Sequence, residues 1–398
     1  MLEGIRVVEY ATYMAAPGAG SILRDWGAEV IKVEPPGGDP IRNFFRTIGT
    51  DIADNPVFDF DNRGKSSIIL DTTTDAGRDI LVKLAREADV FLTNVRPGGL
   101  ERSGLDYDAL AKANPKLVYC TLTGYGLEGP DADKPGFDVA SFWSRAGVAA
   151  LTIPKGQEPF ALRTAFGDHT TSMAAAAGIC AALVEATRTG KGRLVEASLL
   201  RTALYAMGSD FAIQLFFGRI GSTKSRKQSI QPLMNFFETG DGHWICIVSR
   251  QGDVDWAPLC RALDLDNHID DERFAGAKER RQNAGELVDL FDAAFAKFTK
   301  LEIATRLDVE QIAWAPVQTL AEVAADPQVA ATGAITEVPS ASGDGTFKSP
   351  ASPVRFPGAD DGPKGASPRP GEHSRDVLTA LGLSTEEIDA LIASGAVA

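Results

Sequence analysis

One aspartate in this sequence, Asp168, has the clearest potential for chemistry. It lies in the segment Ala165–Thr171, directly before a run of small and apolar residues from Ser172 to Leu183. That run predicts a buried helix that ends near Thr189–Gly192, where a glycine can take the left-handed cap conformation. Asp168 would then lie at or just outside the helix N-terminus, where free N–H groups and the helix dipole favour negative charge.

Two functions are compatible with that position. Aspartate is a preferred N-cap residue, so the carboxylate of Asp168 could serve the helix alone. Alternatively, Asp168 is a nucleophile that the helix end keeps ionised and presents to a substrate. The rest of the sequence has to decide between these two hypotheses.

Length and composition indicate a two-domain globular protein. The chain has 398 residues, of which 44% are hydrophobic, and its formal net charge is −14. That charge argues against nucleic acid and anionic membranes as partners, because neutralising phosphates needs a basic face. We expect no membrane span and no signal peptide. Four widely spaced cysteines and four histidines show no disulfide or metal-ligand spacing, which predicts no metal site and a reducing cytoplasm.

About the first 125 residues alternate strand-like and helix-like segments. Strands are predicted at Ile5–Tyr10, Glu29–Glu34, Ser66–Leu70, Asp89–Thr93 and Leu117–Leu122, with helices at Pro17–Trp26, Thr74–Glu87 and Tyr107–Ala113. This alternation predicts an α/β fold with a largely parallel, doubly wound sheet that binds ligands at the carboxyl ends of its strands. The pair Gly18 and Gly20 is not read as a dinucleotide motif, because Leu23 replaces the third glycine.

The second half of the chain predicts a smaller domain and a returning segment. A linker helix is expected at Leu199–Phe217, followed by a hairpin that turns at Gly240–Gly242. The proline-rich segment Pro339–His373 indicates an extended connector with strand pieces such as Val354–Phe356, and a helical tail follows it.

Basic residues follow the ends of the predicted strands. They are Arg42, Arg46, Arg63, Lys65 and Arg96. Any one of them could be ordinary surface charge, but together they could bind a polyphosphate, since arginine offers planar, charged hydrogen-bond forks. Coenzyme A, with its three phosphate groups, would suit such a cluster.

A set of motifs runs in order along nearly the whole chain: Leu2–Glu9, Ala16–Pro17, Trp26–Asp39, Asn62–Ser66, Ala88–Val90, Asn94–Gly98, Gly124–Gly126, Gly129–Pro130, Gly136–Ala140, Gly167–Asp168, Ala315–Val317 and Asp326–Val329. The set resembles the class III coenzyme A-transferase family (CaiB/BaiF), which also contains the 2-methylacyl-CoA racemases. The resemblance implies that Asp168 is the catalytic aspartate. It further implies coenzyme A contacts from Met14, Ala15, Arg42, Lys65, Asn94 and Arg96.

The resemblance also implies a fold, an interlocked homodimer whose large Rossmann-like domain is built from both chain ends. The corresponding division here is a large domain at 1–200, a linker helix and hinge at 201–230, a small α+β domain at 231–325, and a return linker with the rest of the large domain at 326–398. The implied activity moves coenzyme A from an acyl-CoA to a carboxylic acid through covalent intermediates on Asp168. Coenzyme A is then a substrate, with no permanently bound cofactor and no metal.

Departures from the family pattern leave alternatives open. The loop Ser225–Pro232 lacks the glycine run that shields intermediates in some members, which makes a formate/oxalate specialist less expected. The segment Phe142–Gly147 resembles members that act on 2-hydroxy or aryl acids, although packing explains Trp143 equally well. A racemase would need a histidine where this chain has Phe137, and His169 is expected to be structural. A non-catalytic acyl-CoA-binding protein is a third hypothesis.

Overall fold

The computed structural model describes residues 1–50, 55–163, 165–250, 253–343 and 345–398. The chain divides into two compact units. The large unit comprises residues 1–149, 160–220 and 327–398, and the small unit comprises 150–159 and 221–326. The large unit is therefore assembled from both ends of the chain, and the small unit takes in a short segment, 150–159, that the sequence analysis assigned to the large domain.

Six parallel strands form the centre of the large unit. They are β1 (Arg6–Tyr10), β2 (Glu29–Glu34), β3 (Ser66–Ile69), β4 (Val90–Thr93), β5 (Val118–Thr123) and β6 (Leu194–Ser198). Their order is β3-β2-β1-β4-β5-β6, and every neighbouring pair is parallel. The predicted α/β fold with a central parallel sheet is confirmed. Because the order reverses between β1 and β4, the carboxyl ends of these strands border the crevice where such sheets bind ligands.

Helices cover this sheet and continue beyond it. They are α1 (Ala15–Asp25), α2 (Phe44–Thr47), α3 (Pro56–Asn62), α4 (Asp75–Glu87), α5 (Pro97–Ser103), α6 (Tyr107–Ala113), α7 (Val148–Thr152), α8 (Phe166–Thr189), α9 (Leu199–Ala206) and α10 (Gly208–Phe217), with a 3-10 helix at Pro40–Asn43 and a π-helix at Val139–Arg145. The linker predicted as one helix is two, because the backbone leaves the helical conformation at Met207. The next residue, Gly208, is a poor helix former.

Helix α8 is the core helix of the large unit. Its small residues let it pack closely on α1, so that Ala175, Ala176 and Ile179 are almost completely buried. It ends at Gly190 in the left-handed conformation (φ 69°), as the sequence predicted. By length and composition α8 could cross a membrane, and within the described ranges it is the one helix with this property. Core helices of globular proteins share that property, and the packing of α8 on α1 fits this explanation.

The small unit combines an antiparallel sheet with helices, in agreement with the α+β prediction. Its strands are β7 (Met234–Glu238), β8 (Trp244–Val248) and β9 (Ala313–Pro316), and its helices are α11 (Trp256–Ala262), α12 (Ala277–Gln282), α13 (Ala284–Phe295), α14 (Lys300–Val309) and α15 (Leu320–Ala325), with 3-10 helices at Arg226–Gln228 and Asp266–His268. The predicted hairpin is present as β7 and β8. Stacked Phe237 and Phe295 rings, 4.8 Å apart, lie in the core beneath it.

The returning segment contains α16 (Pro327–Thr332), β10 (Ile335–Pro339), β11 (Thr346–Pro350), α17 (Ser374–Ala380) and α18 (Thr385–Ala393). The prediction of a strand piece at Val354–Phe356 was wrong, and the strands lie earlier, in the β10–β11 hairpin. Pro353 and Pro357 flank the predicted piece and lack the N–H that a sheet requires. Phe356 instead packs its ring edge-on against Trp26 at 5.5 Å.

Candidate active site

A pocket of the large unit opens at the carboxyl ends of β1, β4 and β5, which is the crevice that the strand order predicts. The pocket brings Asp168 together with four residues of the predicted coenzyme A-binding set, Met14, Ala15, Asn94 and Arg96. Three side chains that the sequence analysis did not assign to this set also line it: Tyr13, Lys134 and Phe137.

The loop from β1 to α1 forms one wall of the pocket and is held from two sides. Asn94 donates to the carbonyl of Thr12 at 2.7 Å and accepts from its N–H at 3.1 Å. Tyr13 has a left-handed backbone (φ 65°), and its N–H donates to Asp39 at 3.1 Å. Asn94 therefore shapes the loop that presents Met14, at the start of α1, to the pocket.

Asp168 lies inside the first turn of α8 and not at its cap. The cap position belongs to Ala165, whose backbone is left-handed (φ 71°). The capping function falls to Asp138, whose carboxylate accepts the N–H of Gly167 at 3.1 Å. Ser172, one turn after Asp168, donates to the carbonyl of Ala15 at 2.6 Å and ties α8 to the start of α1. The N-cap hypothesis for Asp168 is thus wrong, and its carboxylate is left to face the pocket.

The electrostatics of Asp168 differ from the expectation that the helix end keeps it ionised. Burial, followed by repulsion from Asp138, raises the pKa of Asp168 to about 7, and Asp61 adds to the same effect. The positive charge of His169 acts in the opposite direction. The first turn of α8 therefore holds a carboxyl group that titrates near neutral pH, as do many groups that do chemistry in proteins.

Lys65, a predicted coenzyme A contact, does not line the pocket in this structure. Its ammonium group is fully buried and donates to Glu9 at 2.6 Å, to the carbonyl of Pro17 at 2.9 Å and to Asn62 at 3.0 Å. Burial lowers the pKa of Lys65 to about 8. Glu9 also pairs with the buried Lys32 at 3.1 Å. Lys65 consequently belongs to a buried charge network and not to the pocket surface.

Arg42 is likewise absent from the pocket lining. Its guanidinium binds both carboxylate oxygens of Glu34, at 2.7 and 2.5 Å, and lies over the ring of Phe58. Arg63 pairs with the buried Asp25 at 2.6 Å. The predicted convergence of five basic residues is therefore not formed, and Arg96 is the member of that group that lines the pocket.

Lys134 is the pocket cation that sequence reasoning missed. It follows the fifth strand, at the same edge of the sheet as Arg96, and the rule that ligands bind at strand ends could have found it. Lys134 lies 4.0 Å from Asp131, a distance at which its ammonium group is only loosely paired. Together with Arg96 it gives the pocket positive charge suited to an anionic ligand.

The other residues singled out in the sequence have structural partners. Trp143 is buried and donates its indole N–H to the carbonyl of Phe160 at 2.8 Å, so packing accounts for it. Arg145 pairs with Asp131 at 2.8 Å. In the loop Ser225–Pro232, Arg226 binds Asp292 at 2.9 Å. Across the described ranges, no group of three or more His, Cys, Asp or Glu side chains is arranged to hold a metal.

Comparison with known proteins identifies the family. Residues 2–374 match the model of CoA-transferase family III. The chain belongs to this family. The (R)-2-hydroxy-4-methylpentanoate CoA-transferase of Clostridioides difficile is 34% identical over 98% of this chain and 97% of its own length. The cinnamoyl-CoA:phenyllactate CoA-transferase of Clostridium sporogenes is 32% identical over 98% and 96%. A crystal structure of a CAIB/BAIF family protein from Brucella suis superposes with a TM-score of 0.83, at 31% identity, covering 96% of this chain and 99% of that one.

The protein is therefore an enzyme of the class III CoA-transferase family, as the motifs indicated, and its substrates include CoA thioesters. The racemase alternative is not favoured, because the relatives are CoA-transferases. At the position where a racemase would need its histidine, Phe137 lines the pocket. A phenylalanine ring can neither donate nor accept the proton that racemisation moves.

Proposed function

We propose that this CoA-transferase moves coenzyme A from an acyl-CoA to a carboxylic acid through covalent intermediates on Asp168. The observation that carries the proposal is the position of this carboxylate. It lies in the pocket at the switch point of the sheet, a pocket that Arg96 and Lys134 also line, and it does not cap the helix. Ligand pockets with a perturbed titratable group are the expected location of chemistry. We place the reaction in the cytoplasm, in keeping with the composition.

Four steps transfer the coenzyme. A carboxylate oxygen of Asp168 attacks the thioester carbonyl, the C–S bond breaks, and a mixed anhydride and coenzyme A thiolate form. The thiolate attacks the aspartyl carbonyl, which gives an aspartyl-CoA thioester and releases the donor acid as its carboxylate. The acceptor carboxylate attacks the aspartyl-CoA thioester, its C–S bond breaks, and a second mixed anhydride and coenzyme A thiolate form. The thiolate then attacks the acceptor carbonyl, which yields the new acyl-CoA and restores Asp168. Covalent steps of this kind divide one difficult exchange into easier ones.

An apolar acyl group fits this pocket better than a dicarboxylate. The ring of Phe137 is 61% exposed and meets the Tyr13 ring edge-on at 6.0 Å, which gives the pocket an aromatic wall. Burying such rings against an apolar chain is favourable by roughly 25 cal/mol per Å². The two relatives named above act, by their names, on a branched hydroxy acid and on phenyl-bearing acids. Arg96 and Lys134 are then available to the phosphates of coenzyme A.

A homodimer, interlocked as in the family, is the assembly that we propose. Apolar side chains on α9 and α10 are widely exposed, with Tyr205 at 89% and Phe216 at 80%. Helix α10 is described over its full length, and none of its residues is buried. Contiguous apolar surface of this kind marks a protein interface. Light scattering should give twice the chain mass, and Phe216→Glu should lower it. A monomeric wild-type protein would contradict the proposal.

The test of the reaction is peptide mass spectrometry after incubation with acyl-CoAs in the absence of acceptor. We expect an acyl or coenzyme A adduct on the peptide that contains Asp168, formed faster with 4-methylpentanoyl-CoA than with succinyl-CoA. Asp168→Asn removes the nucleophile while it keeps the shape of the side chain, so it should form no adduct and still bind coenzyme A. Deuterium incorporation at the acyl α-carbon with no adduct would instead indicate a racemase. Faster reaction with succinyl-CoA would refute only the acyl preference.

A further inference from the structure

Three carboxyl groups and one imidazole meet at the first turn of α8. Asp168 lies in this turn, Asp138 caps it from the position directly before the π-helix, and Asp61 approaches from the end of α3. His169, the residue after Asp168, is the cation-forming side chain among them. Three like charges at one helix turn repel each other, so the imidazole is the group that can offset this repulsion.

Asp61 holds His169 in a defined orientation. The imidazole Nε2 lies 3.1 Å from Oδ1 and 3.4 Å from Oδ2 of Asp61. Asp61 is almost completely buried, and the ring of Phe60 packs edge-on against the imidazole at 5.0 Å. Gly18 of α1 packs against this region, since a Cβ atom there would lie 2.6 Å from Ser172 Oγ and 3.1 Å from Asp61 Oδ1. A carboxylate buried this deeply requires a charged or hydrogen-bonding partner.

The charges around the pair favour a protonated imidazole. Burial alone would lower the pKa of His169, but the contact with Asp61 and the charges of Asp168 and Asp138 outweigh it and raise the pKa. Burial raises the pKa of Asp61, while His169 and Lys65 lower it and Glu9 raises it. These groups come from α8, the N-cap of the π-helix, α3, the loop after α3, and β1.

We propose that His169 is a positioning residue for the transferase reaction. Its imidazolium follows Asp168 in the same turn of α8 and is oriented by Asp61. The positive charge of His169, acting against the negative charges of Asp61 and Asp138, keeps the Asp168 carboxylate ionised for attack on the thioester. The inference rests on the proposed function, because it assigns His169 a role only if Asp168 is the nucleophile. It replaces the expectation that His169 is merely structural.

The proposal predicts a specific change in pH dependence. Without the imidazolium, Asp168 should ionise at higher pH, so acylation should slow at low pH and recover as pH rises. Removing one nearby opposite charge raises the pKa of a carboxyl group by about one unit or more. At pH values below the pKa of Asp168, a rise of one unit lowers the ionised fraction, and with it the acylation rate, about tenfold. At about pH 9, where Asp168 is ionised in either protein, the variant should match or exceed the wild type, because a more basic carboxylate is the better nucleophile.

Two substitutions separate charge from tethering. His169→Gln keeps a hydrogen-bond donor for Asp61 and removes the charge, whereas His169→Lys keeps a positive charge. The rate of adduct formation on Asp168 is measured in single turnovers from pH 5.5 to 9 by rapid quench and mass spectrometry. We expect the Gln variant to be about tenfold slower at pH 6 and equal to wild type at pH 9. The Lys variant should regain most of the rate at pH 6.

The matched control is His268→Gln. His268 forms a similar pair with Asp271, 3.2 Å long, in the small unit, and its removal should leave the profile unchanged. The proposal would be overturned if His169→Gln lowered the rate of adduct formation equally at all pH values and His169→Lys restored none of it. His169 would then act only as a structural contact of Asp61. A profile shift in the control would overturn the proposal as well. If His169→Gln does not fold, His169→Asn supports the same comparison. Absence of any adduct in the wild type would refute the proposed function instead.

Discussion

Replacing Asp168, the proposed nucleophile, by asparagine should stabilise the folded protein. The gain should appear only at pH values at which the Asp168 carboxyl group is ionised in the unfolded chain. Asp168 has its pKa raised from 3.8 to about 7 in the fold, by burial first and by Asp138 second. The folded state therefore retains a proton that the unfolded state has already released. Asp168→Asn removes this difference while it preserves the shape and the burial of the side chain.

The sign and size of this change in the free energy of unfolding follow from the linkage between protonation and folding. Below about pH 3.8 both states carry the proton, and Asp168 has no effect on the free energy of unfolding. Between pH 3.8 and 7 the unfolded state binds fewer protons, so this free energy falls by about 1.4 kcal/mol per pH unit. Above pH 7 the loss is complete, at about 4 kcal/mol. Asp168→Asn should recover that amount at pH 8 and almost none of it at pH 4.

Urea or thermal unfolding at pH 4 and pH 8 measures this difference. A gain of about 4 kcal/mol corresponds to a rise of about 5 °C in the unfolding temperature of a chain this long. Asp108→Asn is the control, because Asp108 also lies in the first turn of a helix, α6, but is exposed to solvent. We expect it to show no gain that grows with pH. An Asp168→Asn variant that gains nothing at pH 8, or gains equally at pH 4, would refute the raised pKa.

Three further predictions concern structural contacts, two at the supports of the site and one in the small unit. Gly167→Ala should abolish adduct formation in a peptide assay, because the new Cβ atom would lie 2.3 Å from the Asp138 carboxylate and displace the cap of α8. Lys65→Met should lower the free energy of unfolding in urea by about 3–5 kcal/mol, because it leaves Glu9 buried without one of its cations; calorimetry should show nearly unchanged coenzyme A affinity, and the opposite result would restore Lys65 as a ligand contact. Thr299→Ala removes half of a capping box and should lower the unfolding free energy of the small unit by about 1 kcal/mol, measured by urea titration.

Hydrophobic patterns were sufficient to predict the sheet of the large unit. Its first five strands alternate with helices in the sequence, and each occurs within a residue or two of the predicted bounds. Patterns failed where tertiary contacts decide the structure. Strand β6 has half-exposed residues at its start and carries a weak signal of its own. The connector was read as strand at Val354–Phe356 although prolines on both sides exclude it. The strands that do form, β10 and β11, are a short antiparallel pair earlier in the segment.

Sequence motifs singled out Asp168, which the structure places in the pocket, but they did not predict the charges around it. The position of a cation in the chain does not reveal whether a carboxylate lies opposite it. Arg42 and Lys65 follow strand ends, as a ligand contact would, yet Glu34 and Glu9 take up their charges. The raised pKa of Asp168 was equally hidden, because it arises from burial and from Asp138, a residue thirty positions away along the chain.

The charge pattern of the first turn of α8 has a chemical purpose in the proposed reaction. A carboxylate with an ordinary pKa is fully ionised at pH 7 but is a weak nucleophile, whereas one with a much higher pKa would be protonated and inert. Burial and Asp138 raise the pKa of Asp168 above the ordinary value, which makes the carboxylate a better nucleophile. His169 lowers this pKa and so prevents the carboxyl group from staying protonated at neutral pH. Asp138→Asn and His169→Gln should therefore shift the pH midpoint of acylation in opposite directions. Measuring both shifts in one assay tests whether the two neighbours set the pKa of Asp168. If burial alone set it, the pH midpoint of acylation would change in neither variant.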